Sequence, residues 1–367
     1  MNQTRAVLAE DRFASWPRLP ARLALLAFAL LLVASALVPI TAGEQDIVTK
    51  DFVENLSGAE VPGAERPRDD DLALYDTVIE RVGKGENYYT VAAEEHRRSD
   101  YPVTPGWAVR LPTLAYLAAW LGPVGQMVAA ILLMLAVLKV WWDRLAEEAG
   151  DPRTRRIGLA LVFFGASLGL NRYYFVLHEL WAGMLIALAF GLHRPGRKWG
   201  AALAVTALAL AIREHVFPFV LLLGAMAAWR RDWKETAAWG LLAAAFVALI
   251  MVHHHYTALQ VLPSDRPSPE WLQMRGLSGW LSNVALSSNL RFFPHWIAGP
   301  LIVLSLLGWA GWRTAAGAFG TLLYLGYGLA FMLAGRPDNF YWGAVVAPVM
   351  FLGLVFASRV LVLLWRG

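Results

Sequence analysis

Ten apolar runs divide this chain of 367 residues, and few folds accommodate them all. They lie at about 23–42, 124–142, 157–170, 174–192, 199–212, 216–229, 237–252, 295–311, 315–334 and 341–364. Hydrophobic residues make up 57% of the chain, too many for one soluble core of this size. The expected fold class is therefore an all-α polytopic membrane protein with about ten transmembrane helices. Seventeen Trp and eleven Tyr suit aromatic belts at the two interfaces. The absence of Cys excludes disulfides, thiolate catalysis and Cys-ligated zinc. A net charge of +4, with no basic helix or aromatic RNA-binding motif, gives no support to a nucleic-acid partner.

Cations set the expected orientation. Arg5, Arg12, Arg18 and Arg22 precede the first run, which makes 1–22 a cytoplasmic tail and 23–42 an uncleaved first span. A cleaved signal peptide is the rival, because small Ala42 and Gly43 end that run. Arg144, Arg153, Arg155 and Arg156 fill one later gap; Arg194, Arg197 and Lys198 fill another; Arg230, Arg231 and Lys234 a third. With these gaps, Arg313 and Arg366 inside, both ends are cytoplasmic. Residues 43–106 then form a long extracytoplasmic loop carrying juxtamembrane helices. Residues 107–367 form a multi-span domain with a second outside loop at 256–293. Pro112 and Pro123 predict an interfacial or re-entrant helix over 107–121 before one span. The apolar spacing of Trp271, Leu272, Leu277, Trp280, Leu281 and Val284 predicts a further interfacial helix within 269–290, with Asn283 off its apolar face.

The unusual polar groups then gather outside. Loop 43–106 holds 15 of the chain's 28 acids against seven Lys and Arg. It contains Asp69-Asp70-Asp71 and Glu94-Glu95-His96-Arg97-Arg98. Asn171-Arg172-Tyr173-Tyr174 forms an outside turn with His178 and Glu179 beyond it. Arg213-Glu214-His215 forms another, His253-His254-His255 ends a span, and Arg336-Pro337-Asp338-Asn339 completes the set. The runs 157–170 and 199–212 have 14 residues each. At 1.5 Å per residue they reach about 21 Å, short of about 30 Å of hydrocarbon. Arg172 and Arg213 are thus expected below the outer surface, in a polar cavity roofed by the first loop. Each feature has a plainer alternative. The Asp run suits a solvated loop or helix cap, Arg213-Glu214 an internal ion pair, and Glu94–Arg98 a solvated helix face.

A carboxylate beside cations at a membrane surface suits transfer from a lipid phosphate. The carboxylate takes a proton from an incoming hydroxyl, and Arg and His stabilise the departing phosphate. There is no Gly-rich phosphate loop or dinucleotide fingerprint, which disfavours a nucleotide donor.

Asp71-x-x-x-Tyr75, then Gly85, then Tyr88-Tyr89, resembles the first-loop pattern of GT-C superfamily glycosyltransferases, the group of polyprenyl-phosphate-dependent mannosyl- and aminoarabinose-transferases. The resemblance covers the first loop by motif and the rest by architecture. It implies inverting transfer of a sugar from a polyprenyl-phosphate donor to a glycan, lipid or protein hydroxyl. The site would face the periplasmic side of the inner membrane. Asp71 matches the expected base by its spacing to Tyr75; Asp70 is the second candidate. Leu72 stands where some members carry Glu. Arg213, His215, Arg172 and Arg336 are the candidates for the donor phosphate by charge and position. Glu179, Glu214, His178, Tyr75, Arg110 and Asn339 are candidates for contacts with sugar or acceptor, or for orienting the cations. The sequence assigns no cofactor, and an all-oxygen divalent-cation site at Asp69–Asp71 stays open. Two other classes compete. A lipid transporter would bind an anionic headgroup without catalysis, and a metal-dependent hydrolase would use His253–His255. Successive helical side chains point about 100° apart, which disfavours the hydrolase.

Overall fold

The computed structural model describes residues 12–41, 70–148 and 151–366, and these are helical with no β-strand. Among the described residues, five helices are long and apolar enough to cross a membrane: Arg18–Leu37, Gly106–Glu148, Trp233–Ala258, Ala315–Leu333 and Ala347–Arg366. Four shorter ones are equally apolar: His178–Leu192, Gly200–Ile212, Glu214–Trp229 and His295–Gly311. The protein is membrane-embedded.

The chain divides into two compact units. The first comprises Met1–Ala59, Val137–Leu168 and Trp271–Gly367; the second comprises Glu60–Ala136 and Gly169–Glu270. In chain order the helices are α1 (Arg18–Leu37), α2 (Asp70–Gly83), α3 (Tyr88–Arg98), α4 (Thr113–Glu148), α5 (Pro152–Ala166), α6 (His178–Leu192), α7 (Gly200–Ile212), α8 (Phe217–Trp229), α9 (Trp233–Ala258), α10 (Gly276–Leu286), α11 (His295–Gly311), α12 (Ala315–Leu333) and α13 (Leu354–Arg366).

In the first unit, α11 packs against α1, α12 and α13. Small residues permit the approach: a Cβ on Gly308 would overlap the Gly353 carbonyl, and one on Gly299 would overlap that of Ser35. Trp309, fully buried, donates its indole N–H to the Met350 carbonyl at 2.8 Å. The run 341–364 supplies the membrane-length helix Ala347–Arg366, in which the α-helical turn Ala347–Met350 and the 3-10 turn Phe351–Gly353 lead into α13; Pro348 sits in the first turn, where a missing amide hydrogen is tolerated. One expectation needs correction here. The element expected within 269–290 is shorter, at Gly276–Leu286, and is a core helix: Trp280, Leu281, Ser282, Asn283 and Val284 are all buried. Trp271 and Leu272 precede it. Small Gly279 and Gly343 let it press against neighbouring backbone, so its polar side is sealed as well as its apolar one.

In the second unit, α6 pairs with α7 and α8 with α9 as two hairpins. Helix α4 breaks at Gly122, whose φ of +63° suits glycine, followed by Pro123. The break falls where the sequence placed it. The helix before it begins at Thr113, after a 3-10 turn at Gly106–Ala108.

The acidic loop is not an open loop where it is described. Its residues 70–98 fold as the α2–α3 hairpin. Gly85 turns the chain at φ +91°, and the Asn87 side-chain oxygen, Oδ1, caps α3 by accepting from the amides of Tyr89 and Thr90 at 3.0 and 3.3 Å. Leu74, Val78, Val82, Tyr88, Val91 and Ala92 form its core. Glu94–Arg98 is correspondingly not a wholly solvated face. Glu95 and His96 are buried, with Glu95 paired to Arg81 at 2.8 Å and to Arg98 at 3.0 Å.

Candidate functional site

The α6–α7 hairpin places the N-terminus of one helix beside the C-terminus of the other. Glu179 lies in the first turn of α6, and Arg213 directly follows α7. Each charge complements its own helix dipole, and the two are brought together. Arg213 Nε lies 2.7 Å from Glu179 Oε1, and Arg110 Nη2 lies 3.5 Å from the same oxygen. All three side chains are buried. Arg213 Nη1 also pairs with Glu214, whose Oε1 lies 4.0 Å from His215 Nε2. The Glu179 contacts are charge contacts without alignment, since neither of its oxygens receives a hydrogen bond.

His178 is buried beside Glu179, with Nε2 3.3 Å from the Leu111 carbonyl. A carbonyl only accepts, so Nε2 carries the proton and Nδ1 presents a lone pair. The α2 helix reaches this cluster through Tyr75. Its ring meets the His178 ring edge-on at 5.5 Å between centroids, and the Arg110 guanidinium lies 6.0 Å from its centroid. Tyr88 fixes the Arg110 backbone by donating its hydroxyl to that carbonyl at 2.6 Å. Burial pushes the Tyr88 hydroxyl well above its ordinary pKa, so it remains a donor.

Asp71 lies one helical turn before Tyr75, on the same side of α2. Its Oδ1 accepts from the Tyr101 hydroxyl. Tyr101 was not legible as a partner, because 30 residues separate the two and no local pattern links them. Its neighbour His96 interacts through Nδ1 with the Pro102 carbonyl at 2.9 Å, and burial holds its pKa down to about 4. Asp69 and the Asp70 side chain lie outside the described residues.

The structure thus joins Tyr75, Arg110, His178, Glu179, Arg213, Glu214 and His215 in one cluster, with Asp71 one turn away. It does not bring in every candidate. Arg172 is exposed, in a 3-10 turn capped by Asn171, and shares none of the contacts just described. Arg336 and Asn339 belong to the first unit. There Arg336 pairs with Asp338 at 3.3 Å and lies over Trp271 at 4.9 Å, and Asn339 accepts from the Arg336 amide at 3.1 Å. Asn339 is a buried capping residue. The histidine triplet lies within the last turns of α9. His253 Nε2 donates to the Val109 carbonyl at 3.1 Å, and His254 packs edge-on against Trp107. Among the described residues, no three His, Asp or Glu side chains are grouped to hold a metal ion.

No family model, curated protein or solved structure matches this chain.

Proposed function

We propose that the protein is an integral membrane glycosyltransferase that moves a sugar from a polyprenyl-phosphate donor to an acceptor hydroxyl on the extracytoplasmic face. The observation that carries this reading is the meeting of the α2 helix, bearing Asp71 and Tyr75, with the buried Arg110–Glu179–Arg213–His178 cluster. The topology goes with it: about ten spans, both ends cytoplasmic, and the cluster toward the outer leaflet of the inner membrane. Helix α7 has 13 residues, or about 20 Å, so its C-terminal Arg213 lies inside a hydrocarbon layer of about 30 Å.

In this scheme Asp71 accepts the proton of the acceptor hydroxyl as its oxygen attacks the anomeric carbon. The bond from that carbon to the phosphate oxygen breaks with inversion, and polyprenyl phosphate leaves. Arg110, Arg213 and His215 offset the charge on the departing phosphate. Tyr101 orients the Asp71 carboxylate. Glycan, lipid and protein acceptors are all compatible with this chemistry, with or without a divalent cation at the carboxylates.

Transfer of labelled sugar from a panel of polyprenyl-phosphate donors, by wild type beside the Asp70/Asp71 double Asn variant, tests the proposal. Label in product only with wild type is expected. Donor binding without transfer from any donor would replace the transferase by a lipid transporter, which uses the cluster but has no task for Asp71.

A further inference from the structure

The Glu179 end contains more hydrogen-bond acceptors than the protein fills. Glu179 is fully buried, yet neither carboxylate oxygen receives a hydrogen bond. His178 Nδ1, also buried, receives none, and its tautomer is set by the Leu111 carbonyl on the other nitrogen. Buried acceptors left in this state cost free energy, so each calls for a partner that the folded chain itself does not supply. A phosphate cannot be that partner, because its oxygens bring acceptors to acceptors.

We infer that Glu179 and His178 form the edge that recognises the hydroxyl groups of a neutral donor sugar, and that this edge selects against acidic sugars. This rests on the proposed transferase and extends it to the class of sugar carried. Adjacent hydroxyls donate to the Glu179 carboxylate and a third donor can reach His178 Nδ1, whereas a sugar carboxylate would set acceptors against the acceptors of Glu179 and His178 with no proton between them. Tyr75, edge-on to His178, adds an aromatic wall beside it. The adjacent positions 178 and 179 carry no motif for this role. It follows from which donors the rest of the unit fails to bring.

The test is binding, which needs no turnover. The full chain in nanodiscs is titrated with undecaprenyl phosphate, with the same lipid bearing a neutral hexose, and with the same lipid bearing a hexuronate. The hexose form should bind at least about 10-fold more tightly than the bare lipid, the value of one or two good hydrogen bonds. The hexuronate form should bind no better than the bare lipid. Glu179→Gln should lose the hexose advantage, read as the ratio of its affinities for the hexose-bearing lipid and for undecaprenyl phosphate, whatever its affinity for the bare lipid becomes when the guanidiniums lose their carboxylate partner. His178→Phe, which keeps an aromatic ring against Tyr75, should lose part of it. Thermal unfolding of each variant checks folding. If Glu179→Gln does not fold, His178→Phe decides, and an unchanged preference in that variant overturns the inference. So does a wild type that shows no hexose preference, or one that binds hexuronate as well as hexose. The transferase stands or falls separately. Hexose preference without any transfer keeps the recognition edge and removes the enzyme, whereas transfer with the preference intact in Glu179→Gln removes the edge alone.

Discussion

Glu179 and Glu235 are both fully buried, both lie in the first turn of a helix, and both have a His and an Arg beside them. They occupy opposite ends of the α6–α9 helices, since α6 begins at His178 and is capped at its far end by His193. Its 15 residues span about 22 Å. Their hydrogen bonding differs completely. Glu235 Oε1 accepts from His193 Nε2 at 2.7 Å and Trp239 Nε1 at 3.2 Å. Its Oε2 accepts from the Gly196 amide at 3.2 Å and Arg230 Nη2 at 3.1 Å. Four donors from three chain segments saturate it, and in doing so they tie the α6–α7 turn to the α8–α9 turn. Glu179 has two guanidiniums near one oxygen and no aligned donor on either. A saturated buried carboxylate is a structural joint, whereas an unsaturated one keeps capacity for a ligand. The α2–α3 hairpin delivers Tyr75 to the Glu179 end only.

The sharpest way to separate the two ends is to remove function at one and stability at the other. Asp71→Asn should lower sugar transfer by roughly 10²–10⁴-fold, the usual weight of a general base, with the melting temperature unchanged. Parallel losses of activity and stability in that variant would make the Asp71 end structural too. Glu235→Ala strands four donors, one of them charged. It should cost about 3–5 kcal/mol of stability, in the range for breaking a buried ion pair, and should be measured by thermal or denaturant unfolding in micelles. Glu179→Gln strands no aligned hydrogen bond and should cost clearly less. Equal costs would erase the contrast.

The α2–α3 hairpin over the Glu179 end should respond to acid. His96 titrates near its ordinary value of about 6.5 when the hairpin opens and at about 4 when it is closed. The opened form therefore binds more protons between those values. Closure is strongest above pH 6.5, weakens as pH falls toward 4, and then levels off, with a total change of about 3 kcal/mol. Hydrogen exchange of residues 88–104 across that window should show it, and His96→Phe should flatten the profile. A wild-type profile that stays flat would show that His96 is not the sensor. The smallest effect expected is that of Tyr101→Phe. It should lower kcat about 10-fold by releasing the Asp71 carboxylate from its orienting hydroxyl, with little change in donor KM. A matching rise in KM would move Tyr101 from orienting the base to binding substrate.

Much of the helical plan is legible in single stretches of sequence. The apolar run at 295–311 coincides with α11, and Gly122-Pro123 breaks α4 because glycine tolerates positive φ and proline lacks an amide hydrogen. The stretch 269–290 misleads because apolar spacing reports a face without reporting what covers the other one. Small Gly279 and Gly343 allowed α10 to be enclosed where an interfacial helix was expected. The candidate cluster is half legible. Arg213, Glu214 and His215 stand out as charges beside a run too short to cross a bilayer, and Tyr75 by its spacing from Asp71. Arg172 stands out for the same reason as Arg213, yet it lies exposed in a 3-10 turn capped by Asn171.

Composition and local pattern alone determined that this chain is helical and membrane-embedded, since backbone amides in hydrocarbon must bond within their own segment. They also determined where its charges are scarce enough to matter. Only the tertiary structure decided which of those charges meet, and which carboxylate is saturated. Trp239 and Arg230 stand within five residues of Glu235, but His193 and Gly196, which complete its saturation, arrive from 42 and 39 positions away. Those two distant donors are positioned by helix packing, which no local period encodes.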